Sequence, residues 1–258
     1  LPVPAILALA IFAGATAANA QPAPGDTVRV MIYNIKHGQG MDGTVDLSRS
    51  AEVIRELDPD MVALQEIDNQ TDRTDGVDQA ARMSELTGLP YHAFGSFMDY
   101  QGGEYGMAIL SRWPISSSTN HRLPEGAEPR SALAAQIPIG GDGPEVRLVD
   151  IHLYRTLEER YAQAERLAEL FAYTTDPVIL AGDFNSRPRS KVIQMLDRYW
   201  TIPDKGRDHL TFPSDEPTVE IDYIMYRPAS AFELIDHRVI DEPVASDHRP
   251  VILDLVVR

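Results

Sequence analysis

The sequence predicts a protein built from both α-helices and β-strands. Short apolar runs such as Met61–Leu64 and Val178–Ala181 are bounded by Pro, Asp or Gly, which is typical of buried strands. Apolar residues repeat at helical spacing over Leu47–Leu57 and Leu157–Tyr173. No internal repeat and no long linker divides the chain, and 258 residues with 43% hydrophobic content suffice for a sizeable core.

The remaining elements follow from the same two patterns, apolar or alternating runs for strands and three- to four-residue spacing for helices. Asp46 fits the N-cap of the first helix and Gly88 the C-cap of the second. Further strands are predicted at Val28–Tyr33, Tyr91–Phe97, Met107–Ser111, Ala132–Pro138, Val146–Leu153, Ile221–Tyr226 and Val251–Val257. Further helices are predicted at Ala80–Leu86 and Lys191–Leu196.

The first 20 residues predict a secretory signal. Leu1–Ala20 is apolar and uncharged and ends in Ala17-Ala-Asn-Ala20, which matches an h-region and a small-residue cleavage site without the basic n-region. A membrane-spanning helix is the alternative, and Pro2 and Pro4 make it the poorer fit. We therefore expect residues 1–20 to be a signal peptide, 21–26 a short linker and 27–258 the folded domain. The mature chain would be exported, as a periplasmic or secreted protein.

Composition limits the cofactors and partners. The chain has no cysteine, so it can form neither a disulfide nor a thiolate metal site. Any metal must be held by oxygen or imidazole, which favours Mg²⁺, with Mn²⁺ or Ca²⁺ as alternatives. The formal charge of −16 repels polyanions and disfavours tight binding of nucleic acid. A locally neutralised, metal-loaded cleft could still accept a phosphate.

Polar residues that suit metal binding or proton transfer lie at or beside the ends of the predicted strands. They are Asn34, Glu66, His152, Asp183, Asn185, Asp247 and His248. Each alone has a simple structural explanation, such as an Asx turn or a packed histidine. Their joint placement predicts one site, because ligands commonly meet the loops beyond strand ends. Asp222, inside an apolar strand, is costly to bury alone and predicts a designated partner.

Six motifs occur in the order found in the endonuclease/exonuclease/phosphatase superfamily, and with the strands that flank them they span residues 28 to 252. They are Asn34, Leu64-Gln-Glu-Ile67, His152-Leu153, Gly182-Asp-Phe-Asn185, Ile221-Asp-Tyr-Ile224 and Ser246-Asp-His248. The chain resembles that family, which includes pancreatic-type deoxyribonuclease, neutral sphingomyelinases and inositol-polyphosphate phosphatases. The resemblance implies an α+β fold, a four-layer sandwich of two mostly antiparallel sheets with helices outside and a cleft at one rim.

The resemblance also implies a metal site and a base. Glu66 would be the principal metal ligand, with Asn34 and Asp247 completing or supporting the site. Asp183 would orient and deprotonate the attacking water.

Four more roles are implied by the same resemblance. Asn185 and His248 would donate hydrogen bonds to the phosphoryl oxygens in the transition state. Asp222 would accept from the other nitrogen of His248 and fix its tautomer. His152 would be the general acid for the leaving oxygen. The nuclease branch pairs that histidine with an upstream glutamate, but the segment around Glu104 does not align cleanly with it.

Two residues are candidates for substrate contact: Arg73, in the polar loop Asp68–Gln79, and Tyr105. The expected activity is metal-dependent hydrolysis of a phosphodiester, with a lipid headgroup or small ester ranked above DNA because of the acidic charge. A lipid substrate would imply transient contact with membrane lipid, and the sequence shows no sign of an obligate protein partner. The alternatives are an exported Mg²⁺-dependent endonuclease, alone or as a toxin subunit, and a non-catalytic binding module on the same scaffold.

Overall fold

The computed structural model of the protein describes residues 27–258, so the predicted signal peptide and linker lie outside the described residues. Its strands are β1 Thr27–Asn34, β2 Met61–Asn69, β3 Tyr91–Tyr100, β4 Gly103–Ser111, β5 Ser117–Arg122, β6 Ser131–Pro138, β7 Glu145–His152, β8 Val178–Asp183, β9 Asp222–Arg227, β10 Phe232–Val239 and β11 Val251–Val257. Its α-helices are α1 Leu47–Leu57, α2 Gln79–Thr87, α3 Leu157–Phe171 and α4 Lys191–Leu196. No helix within the described range is long and apolar enough to cross a membrane.

The strands form two sheets, and both are mostly antiparallel. The six-stranded sheet has the order β10-β11-β1-β2-β4-β3, and the five-stranded sheet has the order β5-β6-β7-β8-β9. Each sheet contains one parallel pair, β1 with β2 and β7 with β8. A parallel pair needs a crossover connection, and α1 and α3 supply the two crossovers.

The layers are helix, sheet, sheet, helix. An apolar core of Val, Ile, Leu and Met side chains from both sheets fills the space between them. Ala51 and Ile54 of α1 and Met83 of α2 pack on the outer face of the six-stranded sheet. Leu167 of α3 and Leu196 of α4 cover the outer face of the five-stranded sheet. The α+β four-layer sandwich expected from the sequence is confirmed.

The two parallel pairs place polar residues at one rim of the sandwich. Asn34, the last residue of β1, is the register partner of Gln65 in β2. His152 and Asp183, the last residues of β7 and β8, are partners in the other sheet. Because β2 packs against β7 and β8, these strand ends face one another across the sandwich.

The structure corrects the expected position of Glu66. The sequence predicts a strand that ends at Leu64, with Glu66 in the loop beyond it. Strand β2 instead continues to Asn69, and its register with β4 shifts between Gln65 and Ile67. Glu66 occupies this β-bulge with a φ of 60°, and a bulge of this kind re-aims a side chain without ending the strand.

Two strands were not expected from the sequence. β5 and β10 are edge strands, and most of their side chains are exposed or half-buried. Their sequences, Ser117–Arg122 and Phe232–Val239, therefore lack a buried apolar face, and polar residues are common at sheet edges.

Gly106 generates the first prediction. It lies in β4 where the pairing with β2 and the pairing with β3 both shift register, and a Cβ here would lie 2.0 Å from the carbonyl oxygen of Gly95. Gly106→Ala must therefore displace backbone, and we expect a loss of stability of about 2 kcal/mol or more in urea unfolding.

Gly126→Ala is the matched control for that experiment. A Cβ at Gly126 would also make a close contact, 2.2 Å from Oε1 of Glu159, but this atom ends a flexible, half-buried side chain that can rotate away. Gly126→Ala should change stability by less than about 0.5 kcal/mol. Equal losses of stability from the two substitutions would contradict the claim that Gly106 is needed because the backbone of Gly95 lies too close for a Cβ.

Candidate active site

A cleft of about 400 Å³ lies at the rim where the two parallel pairs end. Its walls include seven of the residues that the sequence singles out, together with two arginines and three other side chains. The lining residues are Glu66, Tyr105, Glu128, Arg130, His152, Arg155, Asp183, Asn185, Phe212, Ile221, Asp247 and His248. Asn34 and Asp222 contact this set from below through Glu66 and His248.

His248 and Asp222 form a buried pair. Nδ1 of His248 lies 3.0 Å from Oδ2 and 3.1 Å from Oδ1 of Asp222, and the imidazole packs on Phe212 with ring centroids 4.8 Å apart. Burial alone would lower the pKa of His248, but Asp222, Asp183 and Asp247 outweigh it and raise the pKa to about 10. His248 is thus a cation that can donate from Nε2 into the cleft.

Asp183 lies at the centre of the polar network. Its Oδ1 accepts a hydrogen bond of 2.7 Å from the backbone N–H of Asn185, and its Oδ2 lies 3.3 Å from Nε2 of His152 and 3.8 Å from Nε2 of His248. Burial, reinforced by the charge of Asp222, raises the pKa of Asp183 to about 7. A carboxylate with this pKa can accept a proton at neutral pH and release it again.

His152 is almost fully buried, and its ring packs edge-on against Phe97 with centroids 6.2 Å apart. Its Nδ1 has no hydrogen-bond partner among residues 27–258, and Glu104 is occupied elsewhere, by Asn69 at 3.1 Å. Burial and the charges of Arg130, His248 and Arg155 lower the pKa of His152 well below its ordinary value. Proton donation from His152 therefore requires an anion in the cleft that restores this pKa.

Asn185 follows the sharp exit from β8. Its φ is 47°, in the left-handed region that asparagine tolerates better than most residues. The side-chain Nδ2 donates to the carbonyl oxygen of Leu153 at 2.9 Å. An amide nitrogen carries two N–H bonds, and the second faces Oδ2 of Asp183 at 3.5 Å, a long contact that a ligand in the cleft can replace.

Glu66, Asn34 and Asp247 are the residues that the sequence predicts to hold a divalent cation. Asn34 Nδ2 donates to Oε1 of Glu66 at 3.1 Å, and its own Oδ1 accepts from the backbone N–H of Lys36 at 3.2 Å, so Asn34 orients Glu66. Burial, together with the charge of Asp247, raises the pKa of Glu66. Asp247 contacts Lys36 Nζ through Oδ2 at 2.9 Å, but its buried Oδ1 makes no hydrogen bond within the described chain.

These features fit a hard cation. Carboxylate oxygens such as those of Glu66 and Asp247 are ligands that Mg²⁺ and Mn²⁺ prefer, and a cation would offset the repulsion between the two side chains. Asn34 would support the site by orienting Glu66. A second grouping is possible, because ligand atoms of Asp183, Asp222 and His248 lie within 4.8 Å of one another. We consider it the weaker candidate, since a protonated imidazole has no lone pair to give a metal.

The structure does not place Arg73 in the cleft, although the sequence suggests it as a substrate contact. Its Nε and Nη2 each donate to the buried carboxylate of Asp68 at 2.7 Å. The guanidinium also lies 4.6 Å from the ring centre of Tyr100 and 5.3 Å from that of Tyr105. Arg73 therefore supports the underside of Tyr105, whereas Tyr105 itself lines the cleft.

Arg130 and Arg155 line the cleft but were not expected from the sequence. Arg130 is only 5% exposed, its guanidinium lies 4.7 Å from the ring centre of Phe97, and Nη1 is 2.6 Å from Glu128. The sequence signal was weak because Arg130 ends a polar loop instead of an apolar strand. Both arginines offer cationic donors to an anion in the cleft.

Comparisons with known proteins show which family and which fold the chain shares. Residues 31–248 match the model of the Endonuclease/Exonuclease/phosphatase family. The chain is 35% identical over 147 residues to the Escherichia coli K12 protein YbhP; the match covers 54% of this chain and 58% of YbhP, so the chain spans little more than half of that relative.

Two solved structures share the fold. An endonuclease/exonuclease/phosphatase from Beutenbergia cavernae superposes with a TM-score of 0.73 at 26% identity, over 90% of this chain and 72% of that one. A mannosyl-6-phosphatase from Bacteroides thetaiotaomicron superposes with a TM-score of 0.71 at 20% identity, over 89% of this chain and 99% of that one. The likeness to the phosphatase concerns the fold alone. Since the family model covers most of the chain, the protein belongs to the endonuclease/exonuclease/phosphatase family.

Proposed function

We propose that this protein is a metal-dependent phosphodiesterase that hydrolyses a small phosphate ester or a lipid headgroup by attack of water. The observation that carries the proposal is that three kinds of group line one cleft. They are the proton-accepting carboxylate of Asp183, the cationic imidazole of His248 and the carboxylate oxygens of Glu66 and Asp247. Serine and cysteine nucleophiles are not needed in such a site, because water can be the nucleophile.

Glu66 and Asp247, with Asn34 as a supporting residue, would hold the divalent cation. A bound Mg²⁺ or Mn²⁺ would supply charge neutralisation for a phosphoryl group, which otherwise repels an incoming nucleophile. Lys36, 2.9 Å from Asp247, holds that carboxylate in place from the other side.

Asp183 would position the attacking water and accept its proton. Its pKa of about 7 suits this role at neutral pH, and its contacts to His152 and Asn185 fix the direction of the carboxylate. His248 and Asn185 would donate to the phosphoryl oxygens as negative charge develops there. Donors that are fixed in advance in a buried site stabilise a transition state more than mobile water does.

The leaving oxygen would depart on the side of His152. In the free cleft His152 is neutral, because burial and the two arginines lower its pKa. An anionic substrate counteracts the charges of Arg130 and Arg155, so binding of the substrate itself would favour the protonated, acid-competent form of His152.

The volume of the cleft and the net charge of the protein both favour a small substrate. The cleft of about 400 Å³ is within the range of small-molecule sites, and the chain carries a formal charge of −16, which opposes approach of a nucleic-acid strand. We also propose export, on the strength of the apolar residues 1–20 and their small-residue end.

The metal requirement is the first prediction from this function. The mature chain should hydrolyse bis(p-nitrophenyl) phosphate with Mg²⁺ or Mn²⁺ and lose the activity in EDTA. Glu66→Gln removes a ligand charge while keeping the side-chain shape, so we expect a loss of more than about a hundredfold in turnover and weaker binding of Mn²⁺ in calorimetry.

Glu52→Gln is the control for Glu66→Gln. Glu52 lies on the exposed face of α1 and contacts Arg55 only at the surface, so the same chemical change there should leave metal binding and turnover unchanged. Activity in EDTA, or an active Glu66→Gln variant, would argue against the proposed metal site.

The base and the donor can be tested in the same assay. Asp183→Ala and His248→Ala should each lower turnover by about 10² to 10⁴, because each removes a group that acts on the reacting atoms. Circular dichroism should show both variants folded. His92→Ala, which changes an exposed histidine of β3, is the matched control. Rates close to wild type in either site variant would disprove the assignment.

Substrate class is tested by incubation with supercoiled plasmid in Mg²⁺ or Mn²⁺ at low salt. We expect no nicking from protein that hydrolyses the chromogenic diester, because the acidic surface opposes strand binding. Nicking that disappears in Glu66→Gln would identify a nuclease and overturn the preference for small esters. A folded protein that is inert toward both substrates with every divalent metal would indicate a binding module.

A further inference from the structure

A buried acid–amide contact joins the two sheets beneath the cleft. Gln65 of β2 and Asp150 of β7 are both 0% exposed, and Nε2 of Gln65 donates to Oδ1 of Asp150 at 2.6 Å. Gln65 is the last residue before the bulge that carries Glu66, and Asp150 precedes His152 by two residues on the same strand face. The contact therefore lies directly below residues from both walls of the active site.

Each partner has one oxygen atom without a hydrogen bond. Oε1 of Gln65 and Oδ2 of Asp150 are buried, and neither has a partner among the residues that the structure describes. Both atoms are acceptors if Asp150 is ionised, so they cannot satisfy each other in that state. A proton on Oδ2 of Asp150 would turn this atom into a donor. Its acceptor would then be Oε1 of Gln65, the free oxygen of the same amide group whose nitrogen donates to Oδ1.

The surroundings of Asp150 favour the neutral acid. Its register neighbours in the same sheet are Leu133 of β6 and Ala181 of β8, and the residue that faces it from β2 is the uncharged Gln65. Burial raises the pKa of Asp150 well above its ordinary value, and hydrogen bonding from Gln65 and from backbone N–H groups opposes this only in part. The nearest titratable residues farther along β7, β8 and β2 are His152, Asp183 and Glu66. None of their charges contributes to the raised pKa of Asp150.

We propose that Asp150 is a neutral carboxylic acid that forms a closed, two-hydrogen-bond pair with Gln65, and that this pair positions Glu66 and His152 across the cleft. Nε2–H of Gln65 donates to Oδ1, and the Oδ2–H of Asp150 donates to Oε1. Two planar groups joined in this way have a fixed separation and orientation, so the pair acts as a spacer between the sheets. Asp150 and Gln65 are positioning residues and touch no reacting atom. The positioning role rests on the proposed function, but the protonation state does not.

The protonation state is tested by unfolding wild type and Asp150→Asn in urea between pH 4 and 8. A carboxyl group that keeps its proton in the folded state but has an ordinary pKa of about 3.9 in the unfolded state costs stability as the pH rises. The unfolding constant of wild type, relative to Asp150→Asn, should therefore rise by about tenfold per pH unit until the folded protein also loses the proton. Asparagine can make the same two hydrogen bonds without titrating.

Asp254→Asn is the matched control, since Asp254 is also buried but is paired with Arg29 through hydrogen bonds of 2.8 and 3.0 Å. Removing that charge should destabilise the protein at neutral pH. A constant stability difference between wild type and Asp150→Asn across the pH range would overturn the proposal.

The side-chain ¹³C resonance of Asp150 in wild type gives a direct check of the protonation state. This resonance should not shift between pH 4 and 6, and titration there with an ordinary pKa would also overturn the proposal.

The positioning role is tested by kinetics with bis(p-nitrophenyl) phosphate. Asp150→Asn should keep kcat, KM and the Mn²⁺ concentration for half-maximal rate within about threefold of wild type, whereas Asp150→Ala and Gln65→Leu should lower kcat and raise that Mn²⁺ concentration by about tenfold. Wild-type kinetics in both disruptive variants would refute positioning. If wild type itself is inactive, the proposed function fails, and the urea and ¹³C results still decide the protonation state.

Discussion

The buried carboxylate of Asp183 is the interaction on which the rest of the site depends. It lies within 4 Å of two imidazoles and accepts from the backbone of Asn185, while Asp222 and Glu66 add negative charge nearby. Burial lowers the pKa of both imidazoles, but Asp222 and Asp183 outweigh it at His248, whereas Arg130 and the charge of His248 itself lower the pKa of His152 further. One compact network thus produces a cation, a neutral imidazole and a poised base side by side.

The fold delivers this network through its two parallel strand pairs. In an antiparallel sheet, neighbouring strand ends alternate between opposite edges, so two C-terminal ends rarely adjoin. The crossovers through α1 and α3 place the ends of β1 beside β2 and of β7 beside β8, and stacking of the sheets brings both pairs to one rim. Helices α1–α4 of the described chain contribute no residue to the cleft lining. Helices α1 and α3 connect the parallel strands, and all four cover the outer faces of the two sheets.

Much of this organisation could be predicted from the sequence, because buried strands and amphipathic helices leave periodic patterns. The bounds of α1, α4 and β11 agree with the pattern, and the residues of six motifs meet in one cleft. The edge strands β5 and β10 left no such pattern, since exposed strands need no apolar face.

Contacts that depend on tertiary structure could not be predicted from sequence spacing. The bulge at Glu66 depends on pairing with β4, and the commitment of Arg73 to Asp68 depends on side-chain packing. Arg130 enters the cleft from a loop whose sequence resembles any solvated connection.

The strand order has a consequence for truncated chains. β11 lies inside the six-stranded sheet, between β10 and β1, although it comes last in sequence among the described strands. The loop that leads into it carries Asp247 and His248, so one segment supplies two side chains of the cleft and an inner strand of the sheet. A fragment that stops before this segment would keep Glu66, His152 and Asp183 but would lack His248, and β1 would lose its antiparallel partner.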